Sequence, residues 1–163
     1  MASHVVIRSM CLRDTHEVSC LLYRSFHASL ASSWPPEAVR EFEHYIGKES
    51  IERRFRSHHR SWVAEDDQQI VGVLELRHSR QITLFFVDPR CRSLGIGTRL
   101  LQPAEQRAIR SADGQQTLQV HACLPVVPVY VRLGFRPTGQ RKNRNGLVFA
   151  TLQRKSSWIA GPA

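Results

Sequence analysis

No stretch of this chain approaches the ~18 consecutive apolar residues that a membrane-spanning helix needs. The opening MASHVVIRSMCLRD also lacks the apolar segment of a secretory signal. Cysteine is sparse. Cys11, Cys20, Cys91 and Cys123 show neither zinc-site nor disulfide-scaffold spacing, and reduced thiols in a cytoplasmic protein are expected. Lysine is scarcer still, three against twenty arginines. Repeats and low-complexity tracts are missing. No His/Cys/Asp cluster has metal-ligand spacing, and no nucleophile stands beside a partner in a recognisable motif. Neither a resident metal nor a covalent acyl-enzyme is therefore expected.

What the chain does have fits one domain. It has 163 residues, 42% of them hydrophobic, enough for a real core. Its net charge is +9, and the distribution is uneven. Residues 1–80 balance eleven Lys/Arg against eleven Asp/Glu, whereas residues 81–163 carry twelve against three. A polyanionic partner of the C-terminal half and a solvated basic surface both fit that imbalance. The arginines are dispersed, with no helix-turn-helix and no aromatic-basic platform, so no nucleic-acid partner is expected.

Periodicity then places the elements. VVIRSM reads as a strand. Asp14 and Glu17 form a D-x-x-E start signal, and Val18, Leu21, Leu22, Ser25 and Phe26 recur at helical spacing. SSWPPE opens a second helix to about Ile46, with Pro35 and Pro36 where a first turn tolerates proline. A short helix, ESIERRF, follows. SWVAED, a turn at Asp66-Asp67 and IVGVLELRH form a hairpin, and QITLFFVDP is a further strand stopped by Pro89. RCRSLGIGTRLLQPAEQRAI is a glycine-containing loop running into a helix, which Pro103 should bend or divide. TLQVHA is a strand, LPVVPVYVRL a short helix, GFRPTG its exit, and GLVFATLQ the last strand. The main order, β-α-α-β-β-β-α-β-α-β, describes an α/β sandwich of one mixed sheet. One domain over residues 1–155 is expected, with a flexible tail from 156 to 163 in which Trp158 could dock.

Arg92, Ser93, Leu94, Gly95, Ile96, Gly97 and Thr98 lie between a strand and a helix. Two glycines two apart let the backbone approach a ligand. The following amides are the unpaired donors of a helix N-terminus, which binds phosphate. Thr98 can add a hydroxyl, and Arg90, Arg92 and Arg99 add charge. No Gly-Lys-Ser/Thr follows, so this is not a Walker loop, and no third spaced glycine makes it a dinucleotide fingerprint.

The string FFVDPRCRSLGIGTRLL resembles the hallmark segment of the GNAT acyltransferases: a strand ending V-x-P, then R-x-x-G-x-G, then a helix with paired leucines. VPVYVRLGFRPTG resembles the same family's later Y-x-x-x-G-F segment, at the right distance downstream. The resemblance spans residues 62–153. It implies an α/β GNAT fold: a single mixed, mostly antiparallel sheet with splayed central strands and helices on both faces. It also implies acetyl-CoA as acyl donor. Phe86 and Val87 match the positions for pantetheine and the thioester carbonyl, and Arg92, Ser93, Leu94, Gly95, Ile96, Gly97 and Thr98 match the pyrophosphate loop. Tyr130 matches the tyrosine that protonates the departing thiolate, alternatively a core residue under Gly134-Phe135. Cys123 falls where many members place an asparagine, and a thiol is a poor substitute in hydrogen bonding.

The general base is the open position. Some members place Glu or His early in the strand before V-x-P, where this chain has Gln81 and Thr83. Glu75, His78 and His121 are the available candidates, beside a water chain to bulk. His44, His58 and His59 read as solvated surface. Trp34, Phe42 and Tyr45 read as a core stripe or as an aromatic acceptor pocket. The reading that results is transfer of acetyl to a primary amine of a small molecule, in a ternary complex, by a monomer or homodimer without membrane or nucleic-acid partners. Protein or peptide acetylation, non-catalytic acyl-CoA binding and a nucleic-acid-binding module are the alternatives.

Overall fold

A computed structural model describes residues 4–111, 114 and 116–156. Seven strands form one sheet: β1 Val6–Ser9, β2 His59–Asp66, β3 Gln69–Arg77, β4 Gln81–Val87, β5 Thr117–Cys123, β6 Arg136–Arg144 and β7 Leu147–Lys155. Their spatial order is β1-β2-β3-β4-β5-β7-β6. Every neighbouring pair is antiparallel except β4 with β5. Among the described residues five α-helices accompany them: α1 Thr15–Ser29, α2 Pro36–Tyr45, α3 Lys48–Phe55, α4 Ile96–Ile109 and α5 Val127–Arg132.

Helices cover both faces, so β3 is buried over all but its end residues. On one face α4 packs Leu100, Leu101 and Ala104 against Leu74, Leu76, Leu118 and Leu152, with Tyr130 and Phe135 beside them. On the other, Val18, Leu21 and Leu22 of α1 and Ile51 of α3 meet Val63, Val73 and Leu84. The helical stripe read from α1 is the buried one: Val18, Leu21, Leu22, Ser25 and Phe26 are all in the interior.

The structure departs from the sequence reading in several places. The stretch beginning at Arg136, read as a loop exit, is a strand. All nine of its residues are exposed and none alternates apolar with polar, so no periodic signal marks it. It exists by pairing with β7 at the sheet edge, interrupted by a bulge between Pro137 and Arg141. Proline and a row of cations are what an unpaired edge tolerates and uses against aggregation. Next, α4 runs through Pro103 without division. Its buried Leu100, Leu101, Ala104 and Ala108 lie on both sides of the proline, so packing holds the helix across the lost backbone bond. The β2–β3 turn is Asp67-Gln68, both left-handed at φ 48° and 64°. The D-x-x-E signal marks the start of α1, but its side chains work elsewhere. Asp14 accepts from the Cys11 N–H at 2.7 Å and from Arg8, and Glu17 accepts from the Ile70 N–H at 2.7 Å. His59, read as solvated surface, opens β2 and is half-buried there. Ser156 donates its N–H to the Gln116 carbonyl at 2.7 Å; the rest of the expected tail, with Trp158, lies outside the described residues.

Candidate acyl-CoA and acceptor site

The parallel pair is the feature that shapes the site. β4 and β5 are in register only at Gln81↔Gln119 and Ile82↔Val120. Beyond that rung they part, and Thr83–Val87 turns an unpaired backbone edge toward β5. A bulge lies at the point of parting. Glu75 pairs with Leu84 and Leu76 with Ile82, which leaves Thr83 without a register partner on β3. Bulges re-aim side chains and are common beside active sites. The fork is thus an opening with free donors and acceptors along one side, a shape that accepts an extended amide-bearing chain.

At the end of that side the chain turns at Asp88, Pro89 and Arg90 and enters the glycine loop. Gly95 caps α4 in the left-handed region at φ 75°, and Ser93 shares that sign at φ 66°. Apart from its own chain neighbours, no atom lies within 4 Å of where a Gly95 Cβ would stand, so the loop presents bare backbone to open space. The first helical bond runs from the Arg99 N–H to the Gly95 carbonyl; the amides before it are first-turn donors without a helical partner. Residues 92–95 are exposed, and Ile96 anchors the loop in the core. These features fit a pyrophosphate.

The charges near the loop are not all free. Arg90 is tied to Asp88 at 2.8 Å, which also holds Arg24 at 3.5 Å. The Arg90 side chain, then burial, keep the Asp88 carboxyl shifted, and the net effect lowers it to about 2. Arg99 reaches back to the Val5 carbonyl at 2.7 Å. Arg92 remains exposed beside the loop.

The fork brings the other candidate residues to its two faces. Val87 belongs to the α4 side. Phe86 joins an aromatic group on the α1–α2 side, with Phe42 at 6.1 Å. Phe42 in turn packs on Phe26 at 4.6 Å and Trp34 at 5.5 Å, and Trp34 on Phe149 at 6.3 Å. This group includes Cys123, which is buried at the end of β5. Trp34 precedes α2 rather than lying in it.

Tyr130 stands on the opposite side, its ring 6.1 Å from Phe85 and 5.4 Å from Phe135. Burial pushes its phenol well above the ordinary range, and nearby Cys123 adds to the shift. Phe85 is on one arm of the fork and Cys123 on the other, so Tyr130 spans the opening. A phenol in that setting keeps its proton at any physiological pH.

The three basic candidates are placed very differently. Glu75 is buried and closed by donors: Arg54 Nε at 2.9 and 3.1 Å, Thr83 Oγ1 at 2.7 Å and Tyr45 OH at 3.3 Å. Arg54 also stacks on the Tyr45 ring at 3.8 Å. The bonds to Glu75 engage both carboxylate oxygens. His121 is half-exposed on β5, with Nδ1 3.0 Å from Thr151 Oγ1. Burial first, then Lys142 and Arg77, lower its pKa below the ordinary imidazole value, so it is neutral at pH 7. His78 is exposed in the β3–β4 turn, stacked on His58 at 5.5 Å, away from the fork. Among the described residues no group of His, Cys, Asp and Glu could hold a metal ion, and no helix is long and apolar enough to cross a membrane.

A mixed sheet forked at its one parallel pair, with a glycine loop at a helix N-terminus, defines an acyl-CoA transferase architecture. The chain belongs to the Acetyltransferase (GNAT) domain family, whose profile it matches over residues 30–156. Solved structures share the fold. A GCN5-related N-acetyltransferase from Rhodopseudomonas palustris is 20% identical, with 95% of this chain and 98% of that one covered and a TM-score of 0.75. PaiA N-acetyltransferase from Thermoplasma acidophilum, solved in complex with coenzyme A, is 14% identical over 93% and 98%, TM-score 0.73. A GNAT-family acetyltransferase from Staphylococcus aureus Mu50 is 17% identical over 94% and 99%, TM-score 0.71. No match is found among curated proteins.

Proposed function

We propose that this chain transfers an acetyl group from acetyl-CoA to a primary amine of a small molecule, by direct attack in a ternary complex. The observation that carries the reading is the fork: β4 and β5 pair at one end only, and the open side leads into the bare backbone of Gly95. Acetyl-CoA supplies the acyl group as an activated thioester. The loop from Arg92 to Thr98 binds its diphosphate through first-turn amides. The free edge at Phe86 and Val87 pairs with its amide arm, and an N–H of that edge steadies the oxyanion formed on attack.

His121 takes the proton of the acceptor ammonium. It is neutral at pH 7, and in the tautomer whose Nδ1–H donates to Thr151, Nε2 keeps its lone pair. Tyr130 gives a proton to the thiolate as it leaves. Glu75 holds Thr83, Tyr45 and Arg54 in place rather than moving a proton.

The test has two parts. Acetyl-CoA binds the folded state alone and should raise the melting temperature, while inorganic phosphate at the same ionic strength should do much less. An amine panel, followed by thiol detection of released coenzyme A, should then give turnover. No thermal shift with acetyl-CoA would overturn the reading. Turnover only with protein or peptide substrates would move the acceptor to that class.

A further inference from the structure

A single row of polar side chains crosses the α1–α3 face of the sheet. The registers run His59↔Arg77, Arg77↔Gln81, Gln81↔Gln119, Gln119↔Gln153 and Gln153↔Arg136. Residues in direct register share a face. The row therefore spans β2, β3, β4, β5, β7 and β6, passing through the one rung that joins the arms of the fork.

Its centre is a chain of amides. Gln119 Nε2 donates to Gln81 Oε1 at 3.0 Å, and Gln153 Nε2 donates to Gln119 Oε1 at 2.9 Å. All three glutamines keep part of their surface exposed. Arginines stand at either side, Arg77 and Arg136, both exposed. The next row holds Glu75, His121 and Thr151. One rung further, Lys142 faces Phe149 and Cys123. The one carboxylate in these rows is Glu75, already closed by Arg54.

A face built this way repels a second cation. A diamine would bring its distal ammonium toward Arg77, Arg136 or Lys142, with no free carboxylate in these rows to receive it. An anion meets the opposite: amide N–H donors flanked by guanidinium groups, in the arrangement that binds carboxylates. The charges are spread along the row rather than clustered, which suits a singly charged planar group better than a phosphate.

Resting on the acetyltransferase reading above, we infer that the acceptor is a small amino-carboxylate, its amine at the fork and its carboxylate received by Gln119 and Gln153 beside Arg136. The carboxylate then fixes the amine near His121, one row away on the same strand.

The experiment uses the full chain saturated with coenzyme A. Glycine, β-alanine, 4-aminobutyrate and glutamate are titrated against their carboxamides, a diaminoalkane and an aminoalkylphosphonate. One readout is the side-chain amide resonances of Gln119 and Gln153. The other is kcat/KM from thiol release with acetyl-CoA. At least one amino-carboxylate should shift both resonances and react better than its carboxamide by ~10-fold or more, the scale of a charge-assisted hydrogen bond. Arg136→Glu should abolish that preference, and Gln153→Leu should reduce it, with melting temperatures near wild type. Carboxylates that perturb the glutamines without any turnover would remove the acetyltransferase reading and keep the site. Turnover of carboxamides or diamines at equal efficiency, or an advantage for the phosphonate, would overturn the inference and leave the acetyltransferase reading intact. So would glutamine resonances that ignore every carboxylate.

Discussion

Removing Glu75 separates a holding role from a proton-transfer role. The Glu75 side chain is 2% exposed and its partner Arg54 12%. Glu75→Ala would leave the guanidinium in the interior without its counter-ion, and one of its nitrogens, Nη2, already has no hydrogen-bond partner. Breaking a buried pair from one side costs about 3–5 kcal/mol. Arg54 retains some exposure and its bond from Nη1 to the Tyr45 carbonyl, which places the cost in the lower half of that range. For a domain of this size each kcal/mol lowers the melting temperature by about 2–4 °C, so a fall of roughly 6–16 °C is expected. Replacing both partners together, Arg54→Met with Glu75→Leu, should recover much of it, because no charge is then left unpaired. The assay is thermal unfolding of the two single variants and the double variant, beside kcat against pH. Activity should track folding, with Arg54→Ala and Glu75→Ala impaired alike and the pH profile unmoved. The reasoning fails if Glu75→Gln melts like wild type yet loses kcat at every pH while Arg54→Ala stays active, since that pattern belongs to a general base.

Tyr130→Phe keeps the ring against Phe85 and Phe135, so its melting temperature and acetyl-CoA affinity should change little while kcat falls by ~100-fold or more. Full activity in that variant would return Tyr130 to a packing role. The His121 pKa lies below the ordinary value, so kcat/KM should rise through an inflection below ~6.5 and hold its plateau at neutral pH. Lys142→Gln removes one of the charges that lower this pKa, and the inflection should move up; an unmoved inflection assigns it to another group. Gly95→Val forces a β-branched side chain into φ 75° and places its methyls where the diphosphate is expected. Coenzyme A binding by calorimetry should be lost, against a modest stability cost of ~1–2 kcal/mol; normal binding would refute the loop assignment.

Much of the fold was legible because burial imposes periodicity. Val18, Leu21, Leu22, Ser25 and Phe26 spell the buried face of α1. The seven inner residues of β3, covered on both sides, spell a continuous strand. β6 was illegible for the opposite reason. It buries nothing, so neither alternation nor hydrophobicity marks it, and its register with β7 is a tertiary fact. The glycine loop was readable because Gly95 must adopt a conformation that few other residues accept. The polar row was not. Arg77, Gln81, Gln119, Arg136 and Gln153 are scattered along the chain, and only the strand order brings them into line. Nor does chemical type show how differently Glu75 and His121 are surrounded: Arg54 reaches Glu75 from α3 and Thr151 faces His121 from β7, and neither is near its partner in sequence.

The excess positive charge of the C-terminal half resolves in the same way. Arg90 is bound by Asp88, Arg154 by Glu105 and Arg144 by Glu41. Arg99 is spent on the Val5 carbonyl and Arg107 reaches Ser79. These cations are structural ties between distant elements. Exposed cations remain at both ends of the fork: Arg92 at the glycine loop, and Arg136 and Lys142 with Arg77 on the sheet face. A diphosphate at one end and a carboxylate at the other would each meet positive charge, with the neutral imidazole of His121 between them. Salt should therefore weaken the two ligands separately. Substitution of Arg92 should flatten the salt dependence of coenzyme A binding alone, and substitution of Arg136 that of the acceptor KM alone. If either substitution flattened both, the two ends would share one electrostatic field, and the division of charge between donor and acceptor would not hold.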